Sequence, residues 1–201
     1  MEAKGFDMRA KEPAVAESSM SDAAHASSAA DGVQRASRPL LMVDIDGVIS
    51  LFAMPGASWA DRRTSEGSFH SIDGIPHFLS SIAAAHLLAL SGHFDLVWAS
   101  GWEEKAEEHL PHLLDLPSGL PFLRFARSVG KSNAHWKLDA IEAFAAGRAL
   151  AWVDDAFNEA CHKWARERSA PTLLVQTRPE HGLTSSEARL LREWSEQMPS
   201  I

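Results

Sequence analysis

The chain has 201 residues, of which 45% are apolar and 23% charged, an ordinary globular composition. Its 27 acidic and 19 basic residues leave a net charge of −8, without the basic excess of proteins that bind nucleic acid regardless of sequence. The single cysteine, Cys161, excludes an intramolecular disulfide, and no apolar stretch approaches the roughly 20 residues of a membrane span. These features predict a cytoplasmic protein with no membrane partner.

Residues 1–37 differ in composition from the rest of the chain. They are rich in Ala and Ser, contain Phe6 as their one aromatic residue, and show no sustained apolar periodicity. Such a segment cannot bury enough apolar surface to offset the entropy lost on ordering. The sequence therefore predicts a disordered tail over residues 1–37 and one folded domain over residues 38–201.

Several short apolar runs follow residue 38, and each ends in polar residues. Runs of this kind, bounded by turn signals, are typical of strands buried on both faces of a parallel sheet. In chain order the four clearest are Leu40–Val43, Phe94–Ala99, Ala149–Val153 and Pro171–Val175, and Leu120–Ala126 is a weaker, strand-like run.

Helix-like stretches lie between these runs. Prolines or acidic residues in their first turns, and Gly or basic residues at their ends, suit helix termini. The predicted helices are Pro76–Leu90, Trp102–Leu110, Trp136–Ala146, Ala156–Arg168 and a last one that the capping box Thr184–Glu187 opens. This alternation predicts an α/β domain with a doubly wound parallel sheet, whose functional groups gather at the carboxyl ends of the strands.

Acidic pairs follow two of the predicted strands. Asp44 and Asp46 come after the first, and Asp154 and Asp155 close another. A calcium loop of the EF-hand type is excluded because its twelfth position, where a bidentate Glu is needed, is Pro55. Carboxylates this close together repel one another unless a cation lies among them, and oxygen ligands without His or Cys favour Mg²⁺ over zinc.

A hydroxyl and an ammonium complete the pattern. Ser100 follows the second predicted strand, and Lys137 opens the helix that leads to the second acidic pair. Together with Mg²⁺, such groups can neutralise and orient a phosphoryl group. The ordered set Leu-Met-Val-Asp-Ile-Asp-Gly-Val, Val-Trp-Ala-Ser-Gly-Trp, Lys137 and Trp-Val-Asp-Asp resembles the four motifs of the haloacid dehalogenase-like (HAD) superfamily.

The resemblance implies a role for each acid. Asp44 would be the nucleophile that forms an aspartyl-phosphate, and Asp46 would protonate the leaving oxygen and later activate water. Mg²⁺ would be held by Asp44, the backbone carbonyl of Asp46, and Asp154, with Asp155 as a further or supporting ligand. An alternative hypothesis is that Asp154 and Asp155 are an N-cap pair for the following helix.

The assignment of the phosphate-binding residues also has alternatives. The resemblance implies that Ser100, Gly101 and Lys137 hold the phosphoryl oxygens. Ser100 could instead serve only as the N-cap of the helix that follows it. Lys131, in Gly-Lys-Ser, competes with Lys137, which we favour because it opens the helix before the second acidic pair.

The spacing of the motifs leaves little room for a cap domain. The segment from about Ile49 to Gly74 suits a short flap, so we predict a capless member with an open site. Whether Arg62, Arg63 and His70 in this segment contact substrate stays open, and Trp102 could line the mouth of the site.

The sequence thus predicts a Mg²⁺-dependent phosphohydrolase acting on a phosphorylated small molecule or an exposed phosphoester of a macromolecule. Two alternatives remain: a catalytically silent HAD-like binding module, and a nucleic-acid end-processing phosphatase, which the open site favours and the net charge does not.

Overall fold

The structure is a computed structural model in which residues 38–52, 66–126 and 133–198 are described. The predicted tail, residues 1–37, lies outside these ranges, as do Arg62, Arg63 and Lys131. Predictions about those residues therefore stay predictions. Within the described ranges no helix has the length and apolar character needed to cross a membrane.

The described strands form two separate sheets. In chain order the strands are β1 Leu40–Val43, β2 Ser50–Leu51, β3 Gly67–Ile72, β4 Ile75–Ser80, β5 Asp95–Trp98, β6 Leu150–Asp154 and β7 Thr172–Gln176. The larger sheet has the order β5-β1-β6-β7 with every neighbour parallel, and the smaller has the antiparallel order β2-β4-β3. The four clearest apolar runs of the sequence are the strands of the parallel sheet.

In the described ranges, four helices lie between the strands of the parallel sheet, and a fifth follows its last strand. They are α1 Ser81–Leu90, α2 Glu104–Leu114, α3 Leu138–Ala145, α4 Glu159–Glu167 and α5 Ser185–Glu196, and a short 3₁₀ helix, Ala134–Lys137, precedes α3. The predicted capping box is present at the start of α5. The Thr184 hydroxyl accepts a backbone N–H of the first helical turn, and the Glu187 carboxylate accepts the backbone N–H of Thr184 at 3.1 Å.

The core lies on both faces of the parallel sheet. Because side chains alternate along a strand, Leu41 and Val43 pack with α1, α2 and α5, whereas Leu40 and Met42 pack with α3 and α4. All four are essentially inaccessible to solvent, and burial of such a side chain contributes about 1.5–3 kcal/mol. Helices on both faces confirm the predicted doubly wound α/β fold.

The prediction of a helix from Pro76 was wrong at its start, because residues 75–80 are strand β4. Asp73 and Gly74 form a two-residue turn with φ of 52° and 79°, which suits a β-hairpin whose strands carry the normal twist. Pro76 faces Ser71, one step from the Ile72–Ile75 pair that flanks the turn, where the alternating ladder requires no N–H. The helix begins only at Ser81, capped by Ser80.

The hairpin β3–β4, with β2 beside it, is the short flap that the spacing predicted, shifted toward α1. His70 lies on β3 of this flap hairpin rather than in a loop. The predicted strand Leu120–Ala126 is reduced to one bridge, Trp98 with Phe122. Pro121 has no N–H to donate, which limits pairing there.

Candidate active site

Three strand ends meet at one edge of the parallel sheet. Asp44 is the first residue after β1, Ser100 is the second after β5, and Asp154 is the last of β6. Since β1 pairs in register with both neighbours, Asp44 lies level with Asp154, and Ser100 lies one residue further along at the same edge. The Asp44 N–H donates to the Val153 carbonyl at 3.1 Å, which fixes the carboxyl end of β1 against β6.

Lys137 lies between two of the acids. Its Nζ is 2.9 Å from Asp44 Oδ1 and 2.7 Å from Asp154 Oδ2. The side chain is only 4% exposed. Burial acts to lower the pKa of Lys137, but the attraction of the two carboxylates and their hydrogen bonds outweigh it and raise the pKa. Lys137 is therefore a fixed positive charge at the end of β1.

Three carboxylates form a compact oxygen cluster. One oxygen each of Asp44, Asp154 and Asp155 lies within 4.8 Å of the others. Burial, and then repulsion by Asp44, raises the pKa of Asp155 to about 6 and also raises the pKa of Asp154. Buried acids that resist ionisation need further positive charge, and an all-oxygen donor set fits a hard divalent cation such as Mg²⁺.

The Asp46 carboxylate stands apart from this cluster. Its Oδ2 accepts a hydrogen bond from the indole Nε1 of Trp102 at 3.1 Å. Burial, and then the charge of Asp44, raises the pKa of Asp46, which favours a carboxyl group able to carry a proton. The predicted metal contact of the Asp46 backbone carbonyl stays a prediction.

The turn after Asp46 depends on glycine. Gly47 has a φ of 73°, and a Cβ at this position would lie 2.4 Å from Asp155 Oδ2. The Thr177 hydroxyl donates to the Gly47 carbonyl at 2.8 Å and so ties the turn to the end of β7. The missing side chain of Gly47 is what lets Asp155 approach the other acids.

Gly47→Ala should therefore displace Asp155 as well as strain the backbone. A left-handed alanine costs about 1–2 kcal/mol, and the displaced carboxylate should weaken cation binding further. We expect a lower melting temperature and a smaller Mg²⁺-induced rise, both measured by thermal unfolding. Gly74→Ala is the matched control, because Gly74 has a φ of 79° with nothing within 4 Å of its Cβ position. An equal Mg²⁺ response in both variants would contradict the steric role of Gly47.

Neither N-cap alternative fits the structure. Helix α2 begins at Glu104 with Glu103 as its N-cap, so Ser100, which is buried, does not cap it. Helix α4 is capped by Asn158, whose side chain accepts the Cys161 N–H. Asp154 Oδ1 accepts the N–H of Ala156, two residues on and before the start of α4, at 2.9 Å. Ser100 and the second acidic pair are therefore not the N-caps of these helices, and their roles in the site stay predictions; Gly101 lies exposed beside Ser100.

Sequence reasoning missed two groups that shape the site. His77, on the flap hairpin, packs edge-on against Trp102 with ring centroids 4.7 Å apart. Thr177 holds the Gly47 turn. The only signal for Thr177 was its position after a strand, and nothing local marked His77, because its partners lie 25 and 27 residues away.

Comparison with known proteins agrees with this architecture. A family model described as "HAD domain in Swiss Army Knife RNA repair proteins" matches residues 40–188, about three quarters of the chain. No curated protein and no solved structure matches the chain significantly.

Proposed function

The chain belongs to the family of HAD domains in Swiss Army Knife RNA repair proteins, a family of phosphohydrolase type, and we propose that it is a Mg²⁺-dependent phosphomonoesterase acting through an aspartyl-phosphate. The observation that carries this proposal is the position of Lys137. It bridges Asp44 and Asp154 beside Asp155 at the carboxyl ends of adjacent parallel strands. The proposed nucleophile and the proposed metal ligands thus lie next to one another, and the Lys137 ammonium contacts two of these carboxylates.

Phosphoryl transfer would begin at Asp44. A carboxylate oxygen of Asp44 attacks phosphorus, the bond from phosphorus to the ester oxygen breaks, and that oxygen takes a proton from Asp46 as the alcohol leaves. Lys137 orients Asp44 through their ion pair, and with Ser100 and Gly101 it offsets the charge on the phosphoryl oxygens.

The second half returns the enzyme to its starting state. Asp46, now a carboxylate, accepts a proton from water, which attacks the phosphorus of the aspartyl-phosphate and releases inorganic phosphate and free Asp44. Asp44, Asp154 and Asp155, with the Asp46 carbonyl, would hold Mg²⁺. When bound, Mg²⁺ supplies charge neutralisation at the phosphoryl group.

A phosphatase assay tests the proposal directly. The full chain should release phosphate from an aryl phosphate in millimolar Mg²⁺ and not in EDTA. The alternative hypothesis, a catalytically silent binding module, predicts no phosphate release in either condition. The four acids and Lys137 are all present, which counts against the silent module.

A phosphorylated RNA end is the second candidate substrate, and the description of the family favours it. The short flap would admit a macromolecular phosphoester, whereas the net charge of −8 does not favour nucleic acid. A comparison of kcat/KM on an end-phosphorylated RNA oligonucleotide and on sugar phosphates decides between the two. A higher value on sugar phosphates would contradict RNA end processing.

Cation binding should depend on pH through the acids of the cluster. The folded-state pKa of Asp155, about 6, lies above its ordinary value of 3.8, so protonation favours the fold. The contribution of Asp155 to metal-free stability is therefore full below about pH 4 and is lost as the pH rises through about 6. Mg²⁺ requires the ionised ligand, so its stabilisation should be small at pH 5 and large at pH 7.5.

Melting curves with Mg²⁺ or EDTA at several pH values measure this dependence. A hundredfold excess of Mg²⁺ over its Kd adds about 2.7 kcal/mol, a rise of several degrees. The matched variant Asp155→Asn should flatten the pH dependence of the Mg²⁺-induced rise. A rise of equal size at pH 5 and pH 7.5 in the wild type would contradict the role of Asp155.

A further inference from the structure

We propose that Trp102 is a positioning residue for Asp46, and that His77 of the flap hairpin holds Trp102 in place. The inference rests on the proposed function, in which Asp46 protonates the leaving oxygen. The flap hairpin would thus influence the reaction indirectly. Its His77 would position Asp46 through Trp102 without touching the reacting atoms.

The first step is the hydrogen bond between the indole and the acid. Trp102 Nε1 lies 3.1 Å from Asp46 Oδ2 in a partly buried setting. An indole N–H donates and cannot accept, so it bonds best to a carboxyl oxygen that carries no proton. The bond therefore leaves Oδ1 as the oxygen of Asp46 that carries the proton to the leaving group.

The second step is how Trp102 itself is held. The His77 ring meets the Trp102 ring edge-on, at an interplanar angle of 67° and a centroid distance of 4.7 Å. His77 Nδ1 is in turn 2.9 Å from Ser50 Oγ, a buried hydroxyl on β2. The contacts thus run from Asp46 through Trp102 and His77 back to the strand that follows the first acidic pair.

The third step is that both ends of this arrangement are fixed. Glu103, next to Trp102, has a φ of 50°, and its Oε1 accepts the Phe125 N–H at 3.1 Å. At the tip of the flap hairpin, Asp73 forms an ion pair with Lys105 of α2. The backbone that carries Trp102 and the hairpin that carries His77 are therefore both tied down beside the site.

A well-positioned acid matters most when the leaving group is a poor one. An alkyl alcohol leaves as an alkoxide unless it is protonated, whereas an aryl oxygen leaves readily without help. Trp102→Phe keeps a ring against His77 but removes the N–H donor. It should therefore slow the cleavage of alkyl phosphates far more than that of aryl phosphates.

The experiment compares kcat/KM on p-nitrophenyl phosphate and on glycerol 2-phosphate, because kcat/KM reports the phosphoryl-transfer step and not the later hydrolysis. In Trp102→Phe we expect the ratio of kcat/KM on the aryl phosphate to kcat/KM on the alkyl phosphate to rise about tenfold or more. This is part of the rate enhancement of about 10²–10⁴ that general acid catalysis supplies. Trp164→Phe is the matched control. It removes an indole N–H bonded to the Glu142 carboxylate at 3.0 Å, away from the strand ends, and should leave the ratio unchanged.

Two variants of His77 test the second part of the proposal. His77→Ala removes the ring that supports Trp102 and should raise the ratio, whereas His77→Phe keeps a ring and should raise it less. If Trp102→Phe does not fold, His77→Ala carries the same test.

An equal loss on both substrates in Trp102→Phe, or an unchanged ratio in His77→Ala, would overturn the positioning role while the proposed function stands. A wild-type protein that cleaves neither substrate in Mg²⁺ would overturn the proposed function, and this inference with it.

Discussion

Asp44→Asn should abolish turnover and leave the fold intact. The amide is nearly isosteric with the carboxylate but cannot act as the nucleophile, and loss of a catalytic nucleophile lowers kcat by several orders of magnitude. Steady-state phosphate release measures the loss, and mass spectrometry of acid-quenched enzyme should find a phosphorylated Asp44 only in the wild type. The melting temperature should change little, because Lys137 keeps its ion pair with Asp154.

The matched control for this prediction is Asp115→Asn. Asp115 is exposed at the end of α2 with a φ of 52°, a conformation that Asn tolerates well. This variant should keep wild-type activity. Residual activity of Asp44→Asn above about a hundredth of wild type would exclude Asp44 as the nucleophile, judged against such losses in other enzymes.

Lys137→Met should have the largest effect on stability. The substitution leaves Asp44 and Asp154 facing one another in a buried site without the ammonium that both contact. Removal of one partner from a buried ion pair costs about 3–5 kcal/mol. We expect a loss of this size in metal-free chemical denaturation at pH 7.5. Phosphatase activity should fall by about a hundredfold or more, because a charge that faces the phosphoryl group is gone.

Mg²⁺ should stabilise Lys137→Met more than the wild type, since the cation replaces part of the lost positive charge. Lys163→Met is the matched control, because Lys163 pairs with Glu167 on the exposed surface of α4, where solvent screens the interaction. It should unfold like the wild type within experimental error. Equal stabilities of Lys137→Met and the wild type without metal would show that Lys137 does not hold the acids together.

The sequence alone was sufficient to predict the four strands of a doubly wound parallel sheet and the polar residues at their carboxyl ends. A strand buried on both faces has a short apolar sequence that can be recognised without knowledge of its neighbours. Polar residues directly after such a strand lie at the carboxyl edge of a parallel sheet. Asp44, Ser100 and Asp154 could therefore be grouped before any contact was known.

Local signals misplaced the flap hairpin. Asp73-Gly74 followed by Pro76 suits a helix start as well as a tight turn, because proline is favoured in the first turn of a helix. The strand was decided by pairing with residues 67–72, which supplies the ladder and places Pro76 where no N–H is needed. A helix assignment at such a point depends on contacts that the local sequence does not contain.

Only the tertiary structure decided how the acids are held. Lys137 bridges Asp44 and Asp154 across 93 and 17 residues of chain, and Trp102 reaches Asp46 across 56. Such contacts depend on where the 3₁₀ helix and the turn after β5 place their side chains, and no periodicity of the sequence encodes that. Residue types and strand ends are local properties, whereas the distance between two charges is set by the whole fold.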